Sequence, residues 1–156
     1  CTAGNSSTEN DGAAAVVVTS AQKARELGID PFAVVKSCAV VGDDPRYTYR
    51  TVPAAVEKAL VTAALTIEQM ELIEIQEAFA AQVLADLKQM GVKPPDYTRI
   101  NVNGSGISLG HPIAATGVRV LVTLVHEMKR RGAKYALECI CGGGGLGIAA
   151  VFENAA

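Results

Sequence analysis

Hydrophobic and polar positions along the chain alternate between two rhythms. Residues 13–18, Ala-Ala-Ala-Val-Val-Val, are continuously apolar and predict a strand covered on both faces, and the β-branched stretch 33–41 predicts a second strand. Between them Ser20 is placed to cap a short helix over 21–27 that stops at Gly28. Pro53 opens a helix to about residue 64, with Ala55, Ala59 and Ala63 repeating every four residues on one core-facing side. Residues 43–51, with Tyr47 and Tyr49, read as a loop. After a Thr66-x-x-Gln69 cap comes a short strand at 72–75, and then Phe79, Val83, Leu87 and Met90 place one apolar stripe on a helix that Gly91 ends. Residues 92–99, with Pro94-Pro95, predict a surface connection, and 100–102 a strand feeding a glycine-rich turn. Val118, Leu121, Leu124, Val125 and Met128 stripe the next helix, and 136–141 with 147–152 form a closing hairpin. Strands alternating with helices and pairing at the end predict an α/β domain. No repeat or linker divides residues 1–156.

Composition narrows the class. The 156 residues are 49 % hydrophobic, 19 % charged and 4 % aromatic, with no Trp, so the core is expected to be aliphatic. A formal charge of -2 without a long Lys/Arg run gives no footprint for nucleic acid or an anionic membrane. Lys129-Arg130-Arg131 reads as a solvated helix C-terminus that complements the helix dipole. No apolar stretch approaches the roughly 18 residues of a membrane span, and no charged-then-apolar segment opens the chain, so a soluble, cytoplasmic protein is expected. Cys1, Cys38, Cys139 and Cys141 are too sparse for a disulfide framework and are expected as free thiols. The start at Cys1, without Met, points to a fragment, a processed piece or part of a longer polypeptide.

Candidate chemistry is concentrated in two glycine-rich stretches. Residues 103–117 run Asn-Gly-Ser-Gly-Ile-Ser-Leu-Gly-His-Pro-Ile-Ala-Ala-Thr-Gly and carry one of two histidines, His111. Pro112 suits the first turn of a helix, which would set His111 beside unpaired N–H donors, a setting for carbonyl or oxyanion chemistry. The other stretch is Cys139-Ile140-Cys141 followed by Gly142 to Gly145, Leu146 and Gly147. Gly142, Gly144 and Gly147 formally satisfy G-x-G-x-x-G, but a dinucleotide site needs a following helix and an acidic residue about 20 positions on, and the chain ends nine residues after Gly147. Cys139 and Cys141 share one face of a strand, which with His111 would suit a zinc site, but metal-binding pairs use wider ligand spacings and no second pair is present, so no metal is expected. Cys139 alone reads as a small strand residue, Glu77 as a partner of a helix N-terminus, Gln76 as a polar strand end, and His126 as a surface or partner contact.

Taken in order, Gln76-Glu77-Ala78-Phe79, the Gly-His-Pro turn and Cys141-Gly142-Gly143 resemble the motifs of the thiolase family, and the resemblance corresponds to the C-terminal half of a thiolase. It implies a layered α/β/α domain with a mixed five-stranded sheet. It also implies acyl transfer between acyl-CoA and CoA, by thiolysis of 3-oxoacyl-CoA or the reverse Claisen condensation, within fatty acid metabolism. His111 would activate a nucleophilic cysteine that belongs to the N-terminal half and has no match here. Cys141 would shuttle the α-proton, Gln76 would hold a water, and the Gly143 N–H would bind an oxyanion. The family usually has Asn at position 76, and Gln is one methylene longer. The implied substrates are coenzyme A thioesters, with no tightly bound cofactor. The implied partners are the N-terminal half and further copies, as a homodimer or homotetramer. A competing reading is a catalytically silent interaction subunit that keeps the fold.

Overall fold

The computed structural model describes residues 1–155. Four strands form one mixed sheet in the order β1-β4-β3-β2, with β1 Ala33–Gly42, β2 Leu72–Ile75, β3 Tyr135–Gly142 and β4 Leu146–Asn154. β2 and β3 run parallel, Leu72 beside Ala136 through Ile75 beside Cys139, while β4 is antiparallel to both its neighbours. Among the described residues five α-helices accompany the sheet: α1 Ala21–Glu26, α2 Thr51–Ala63, α3 Ala80–Gln89, the single turn α4 Gly106–Leu109 and α5 Thr116–Arg131.

Alternation along the strands divides the core. Ile73, Ile75, Leu137, Cys139, Ala149 and Val151 point toward α2 and α3, where Val52, Ala55, Val56, Ala59, Val83 and Leu87 complete a buried cluster. Ala55 and Ala59 are fully buried, and the Ser37 hydroxyl donates to the Ala59 carbonyl at 2.7 Å, fastening β1 to α2. On the other face Leu72, Ala136 and Phe152 pack against Leu124 and Met128 of α5. Each fully buried Leu, Ile, Val, Met or Phe in these clusters contributes about 1.5–3 kcal/mol of transfer free energy. No helix among the described residues is long and apolar enough to cross a membrane.

Several expectations need correction. The run 13–18 is no strand: Val17 is 94 % and Val18 80 % exposed, because no strand among the described residues flanks a segment whose composition demands cover on both sides. The sheet has four strands, not five. Only one parallel bridge, Ile73 to Ile100, forms where the strand 100–102 was predicted, and Asn101 then turns away at φ +46°. The Asn101 side chain stands in for the missing ladder: its Oδ1 accepts the Ile75 N–H at 2.8 Å and its Nδ2 donates to the Ile75 carbonyl at 2.9 Å. His111 does not stand at a helix start. Pro112 opens a turn closed by the Ala115 N–H on its carbonyl at 2.7 Å, and α5 begins only at Thr116. Phe79 is the exposed residue preceding α3 rather than part of its stripe, and in α5 the fully buried line is Val120, Leu124 and Met128. The helix around Pro53 starts at Thr51, where a missing N–H leaves no bond unmade. The loop expected over 43–51 instead carries a 3-10 helix, Pro45–Arg50, that runs into α2 at Thr51; the remaining elements, including the hairpin, lie close to where their patterns placed them, and Gly28, Gly91 and Gly132 end α1, α3 and α5 at positive φ.

Candidate active site

The parallel strands β2 and β3 end at the same sheet edge, and three of the four candidate residues issue from those ends. Gln76 directly follows β2, and its N–H extends the ladder to the Cys139 carbonyl at 3.1 Å. Cys141 lies two residues beyond Cys139, and Gly143 begins the hairpin turn. The turn carrying His111 is tied to the same edge. The Ser105 hydroxyl donates to the Ile75 carbonyl at 3.0 Å, and Glu77 accepts the Ile107 N–H at 3.2 Å and the Asn101 Nδ2 at 3.1 Å. Glu77 is therefore a clamp on this turn; α3 begins at Ala80, so the role of partner to a helix N-terminus is not the one it fills.

Gln76 is 1 % exposed, and neither its Oε1 nor its Nε2 has a partner among the described residues. Such a buried amide is costly unless something outside the chain, such as a water, completes it. Its extra methylene is accommodated by Gly106: a Cβ there would collide with Gln76 Nε2 and come within 2.9 Å of the Glu77 carbonyl oxygen.

His111 is gripped on both sides. Its N–H donates to the Thr8 carbonyl and to Asn10 Oδ1, both at 3.0 Å, so the N-terminal segment lies across the turn. Its Nδ1 is 2.7 Å from the Thr116 hydroxyl, whose own proton goes to the Pro112 carbonyl at 3.0 Å. In the tautomer with the proton on Nδ1, that nitrogen donates to the Thr116 oxygen and Nε2 keeps a lone pair for a substrate proton. Burial, followed by the Arg119 guanidinium, holds the imidazole below the usual histidine range, with Glu9 opposing. At neutral pH the ring is an uncharged base.

Cys141 is half-buried, with its Sγ 3.6 Å from Gln82 Oε1, and burial pushes its thiol up, so it rests protonated. Cys139 is fully buried and its thiol is pushed up further, chiefly by burial. Gly143 is exposed, and its N–H has no acceptor among the described residues. Gly145 sits at φ +82°, where a Cβ would strike the Asp43 carbonyl oxygen, and its own carbonyl accepts the Asp43 N–H at 2.9 Å. The segment with Tyr47 and Tyr49 thus buttresses the glycine turn, a role its sequence did not disclose. Among the described residues no hydrogen bond joins His111, Cys141 and Gln76 to one another.

The G-x-G-x-x-G match spans the β3–β4 turn and opens no helix. Among the described residues no three His, Cys, Asp or Glu side chains converge as a metal site would require. His126 is exposed on α5, its ring centroid 4.6 Å from that of Phe32. Sequence reasoning missed Thr116, which follows His111 by five residues, and the pair Gln82 and Asp86, polar residues at i and i+4 directly beside the Val83 and Leu87 stripe. That adjacency was the available signal.

A family model described as the thiolase C-terminal domain matches residues 29–154. The chain is 53 % identical over 153 residues to an acetyl-CoA acetyltransferase of Cupriavidus necator, covering 98 % of this chain and 38 % of that protein. Its fold superposes on the crystal structure of the Bacillus anthracis acetyl-CoA acetyltransferase with a TM-score of 0.93 at 43 % identity, covering 98 % of this chain and 38 % of that one. With human mitochondrial 3-ketoacyl-CoA thiolase in complex with CoA the TM-score is 0.89 at 37 % identity, covering 99 % and 38 % of the two chains. The chain therefore spans about two-fifths of the length of the relatives it matches.

Proposed function

The chain belongs to the thiolase family through its C-terminal domain, and from that premise we propose that residues 1–156 act as one unit of an acyltransferase that moves acyl groups between acyl-CoA and CoA. The N-terminal segment is part of that unit because Thr8 and Asn10 hold the His111 backbone. The observation that carries the reading is the fixing of His111, its backbone N–H held by Thr8 and Asn10 and its Nδ1 2.7 Å from the Thr116 hydroxyl.

In thiolysis, His111 Nε2 takes the proton of a nucleophilic cysteine supplied by the N-terminal half, and the resulting thiolate attacks the 3-oxo carbon. The bond between C2 and C3 breaks, and the departing acetyl-CoA enolate takes its proton from Cys141, which rests as a thiol ready to donate. The Cys141 thiolate then deprotonates the incoming CoA thiol, whose sulfur attacks the acyl-enzyme and releases the nucleophile to recover its proton from His111. The free Gly143 N–H binds a developing oxyanion, and the unpaired Gln76 amide holds a water beside the enolate oxygen. Run backwards, the same groups perform the Claisen condensation. Coenzyme A thioesters enter as substrates and no tightly bound cofactor takes part; the assembly is a homodimer or homotetramer in the cytoplasm.

The test is cleavage of acetoacetyl-CoA by CoA with the chain joined to a thiolase N-terminal half. Measurable turnover that falls at least about a hundredfold in His111→Ala, with assembly unchanged, is the expected result. A soluble complex with no turnover in either form would establish the silent interaction subunit instead.

A further inference from the structure

We propose that Gln82 and Asp86 are positioning residues for Cys141, the buried Asp86 carboxyl orienting the Gln82 amide so that its carbonyl faces the thiol and keeps that sulfur protonated between turnovers. The inference rests on the reading of Cys141 as the acid/base group, and its test is read on the sulfur itself.

Gln82 and Asp86 lie one turn apart on α3 and share a face. Gln82 Oε1 is 3.6 Å from Cys141 Sγ, and Gln82 Nε2 donates to Asp86 Oδ2 at 3.3 Å, forming a chain from the half-buried thiol into the core. Asp86 is 0 % exposed, and its Oδ1 has no partner among the described residues. A carboxyl so placed costs stability, since a leucine of similar size would fill the site without an unsatisfied oxygen. Its retention calls for another account, and its one hydrogen bond supplies it.

A primary amide has two ends of nearly the same shape and opposite polarity. The N–H end turned toward Cys141 would stabilise a thiolate, whereas the carbonyl end can only accept from S–H. Asp86 Oδ2 accepts, whether the carboxyl is ionised or protonated at its other oxygen, so it captures the NH2 end and leaves the carbonyl for sulfur. The ionisable group bearing on Cys141 is Asp86 from α3, whose charge raises the thiol, and no cation that would favour a thiolate bears on it. Burial raises Asp86 to about 7, consistent with a carboxyl that keeps its hydrogen bond in either form.

The experiment follows the rate of Cys141 alkylation by iodoacetamide against pH in the assembled protein, with fragment masses separating Cys141 from Cys139. In Asp86→Asn the acceptor is replaced by an amide that can also donate to Gln82 Oε1, so the Gln82 amide is no longer held one way round and its N–H end gains access to sulfur. The titration midpoint should fall by about one unit and alkylation at pH 7.5 rise about tenfold. Made in a Gln82→Leu background, the same change should leave the midpoint where Gln82→Leu alone puts it. An unmoved midpoint in Asp86→Asn, or an equal shift in both backgrounds, overturns the proposal, the latter because it would show the Asp86 charge acting directly. Should Asp86→Asn fail to fold, Asp86→Leu provides the same reading: the melting temperature should rise and the Cys141 midpoint move, whereas a fall in melting temperature with an unmoved midpoint would make Asp86 structural. Shifted midpoints in a protein without turnover would sustain this inference while the acyltransferase reading failed, and normal turnover with unmoved midpoints would do the reverse.

Discussion

Cys139 and Cys141 differ by two positions in sequence and by nearly everything else in environment. Both point to the α2 and α3 face of the sheet, but Cys139 is sealed within the core cluster while Cys141 is half-buried at its rim, directly before the glycine turn. Along a strand the two lie about 7 Å apart, given roughly 3.3 Å per residue, so one substrate carbon cannot exchange a proton with both. Cys141→Ala is expected to lower turnover of the assembled enzyme by about a hundredfold or more. Cys139→Ala should retain most activity and instead destabilise the fold by about 1 kcal/mol, as loss of a small buried group does. Steady-state rates and thermal melts of both variants decide it, and the reverse pattern would misplace the site by two residues. The order of motifs in the sequence is what favours Cys141 over Cys139. What it withheld was the support of each: the Thr116 hydroxyl on His111 and the Gln82 amide on Cys141 come from other turns of the chain, and a residue list carries no record of which polar groups meet.

At the level of elements, periodicity located α1, α2, α3, α5 and all four strands to within a few residues, because each buries one face against a partner present in the chain. It failed where burial is decided elsewhere. Residues 13–18 have the composition of a doubly covered strand and nothing here to cover them, so Val17 and Val18 face solvent. Residues 100–102 look like a strand because Ile100 and Val102 flank a polar residue, yet that residue, Asn101, serves β2 with its side chain and bends the backbone away. One side chain thus holds the end of β2 and, through Glu77, the turn leading to His111. Asn101→Ala removes three hydrogen bonds and leaves the Ile75 N–H and carbonyl without them; a loss of about 2–3 kcal/mol is expected, measurable as a lower denaturant midpoint at unchanged m-value. The destabilised turn should also raise proteolytic cleavage between residues 103 and 110, and a variant as stable as the parent would refute the assignment of Asn101 as the substitute for a fifth strand.

Across the whole molecule, charge is buried where an α/β core would be expected to exclude it. Glu74 and Glu138 are neighbours on β2 and β3, both buried toward α5, with one Glu74 oxygen and one Arg119 nitrogen that have no hydrogen-bond partner among the described residues. Two carboxyls share one nearby cation, so both cannot ionise without cost. Burial raises Glu74 to about 7, with Arg119 opposing; burial and then Glu74 raise Glu138 to about 8. Arg119 also reaches the Gly110 carbonyl at 3.4 Å, so this pair lies beneath the turn that carries His111. The folded protein therefore keeps protons on groups that release them near pH 4.5 when unfolded, and the stability contributed by their neutral forms is complete below that pH and lost as pH rises through 7 to 8. Asp86 acts in the same direction, raised by burial to about 7. His111, held low, gains stability with rising pH but is a single, partly exposed group, and Glu127, held at about 2 chiefly by Arg130, does not titrate in this window. The melting temperature should accordingly fall between pH 5.5 and 8.5, by at least ~3 °C for a net loss of about 1 kcal/mol in a domain of this size. Glu138→Gln removes the more strongly shifted member while Glu74 and Asp86 remain, so its melting temperature should fall less steeply across the same range. A parent melting temperature that rises with pH, or a Glu138→Gln variant with the parent's slope, would show that Arg119 neutralises the pair and that both carboxylates are charged in the folded protein.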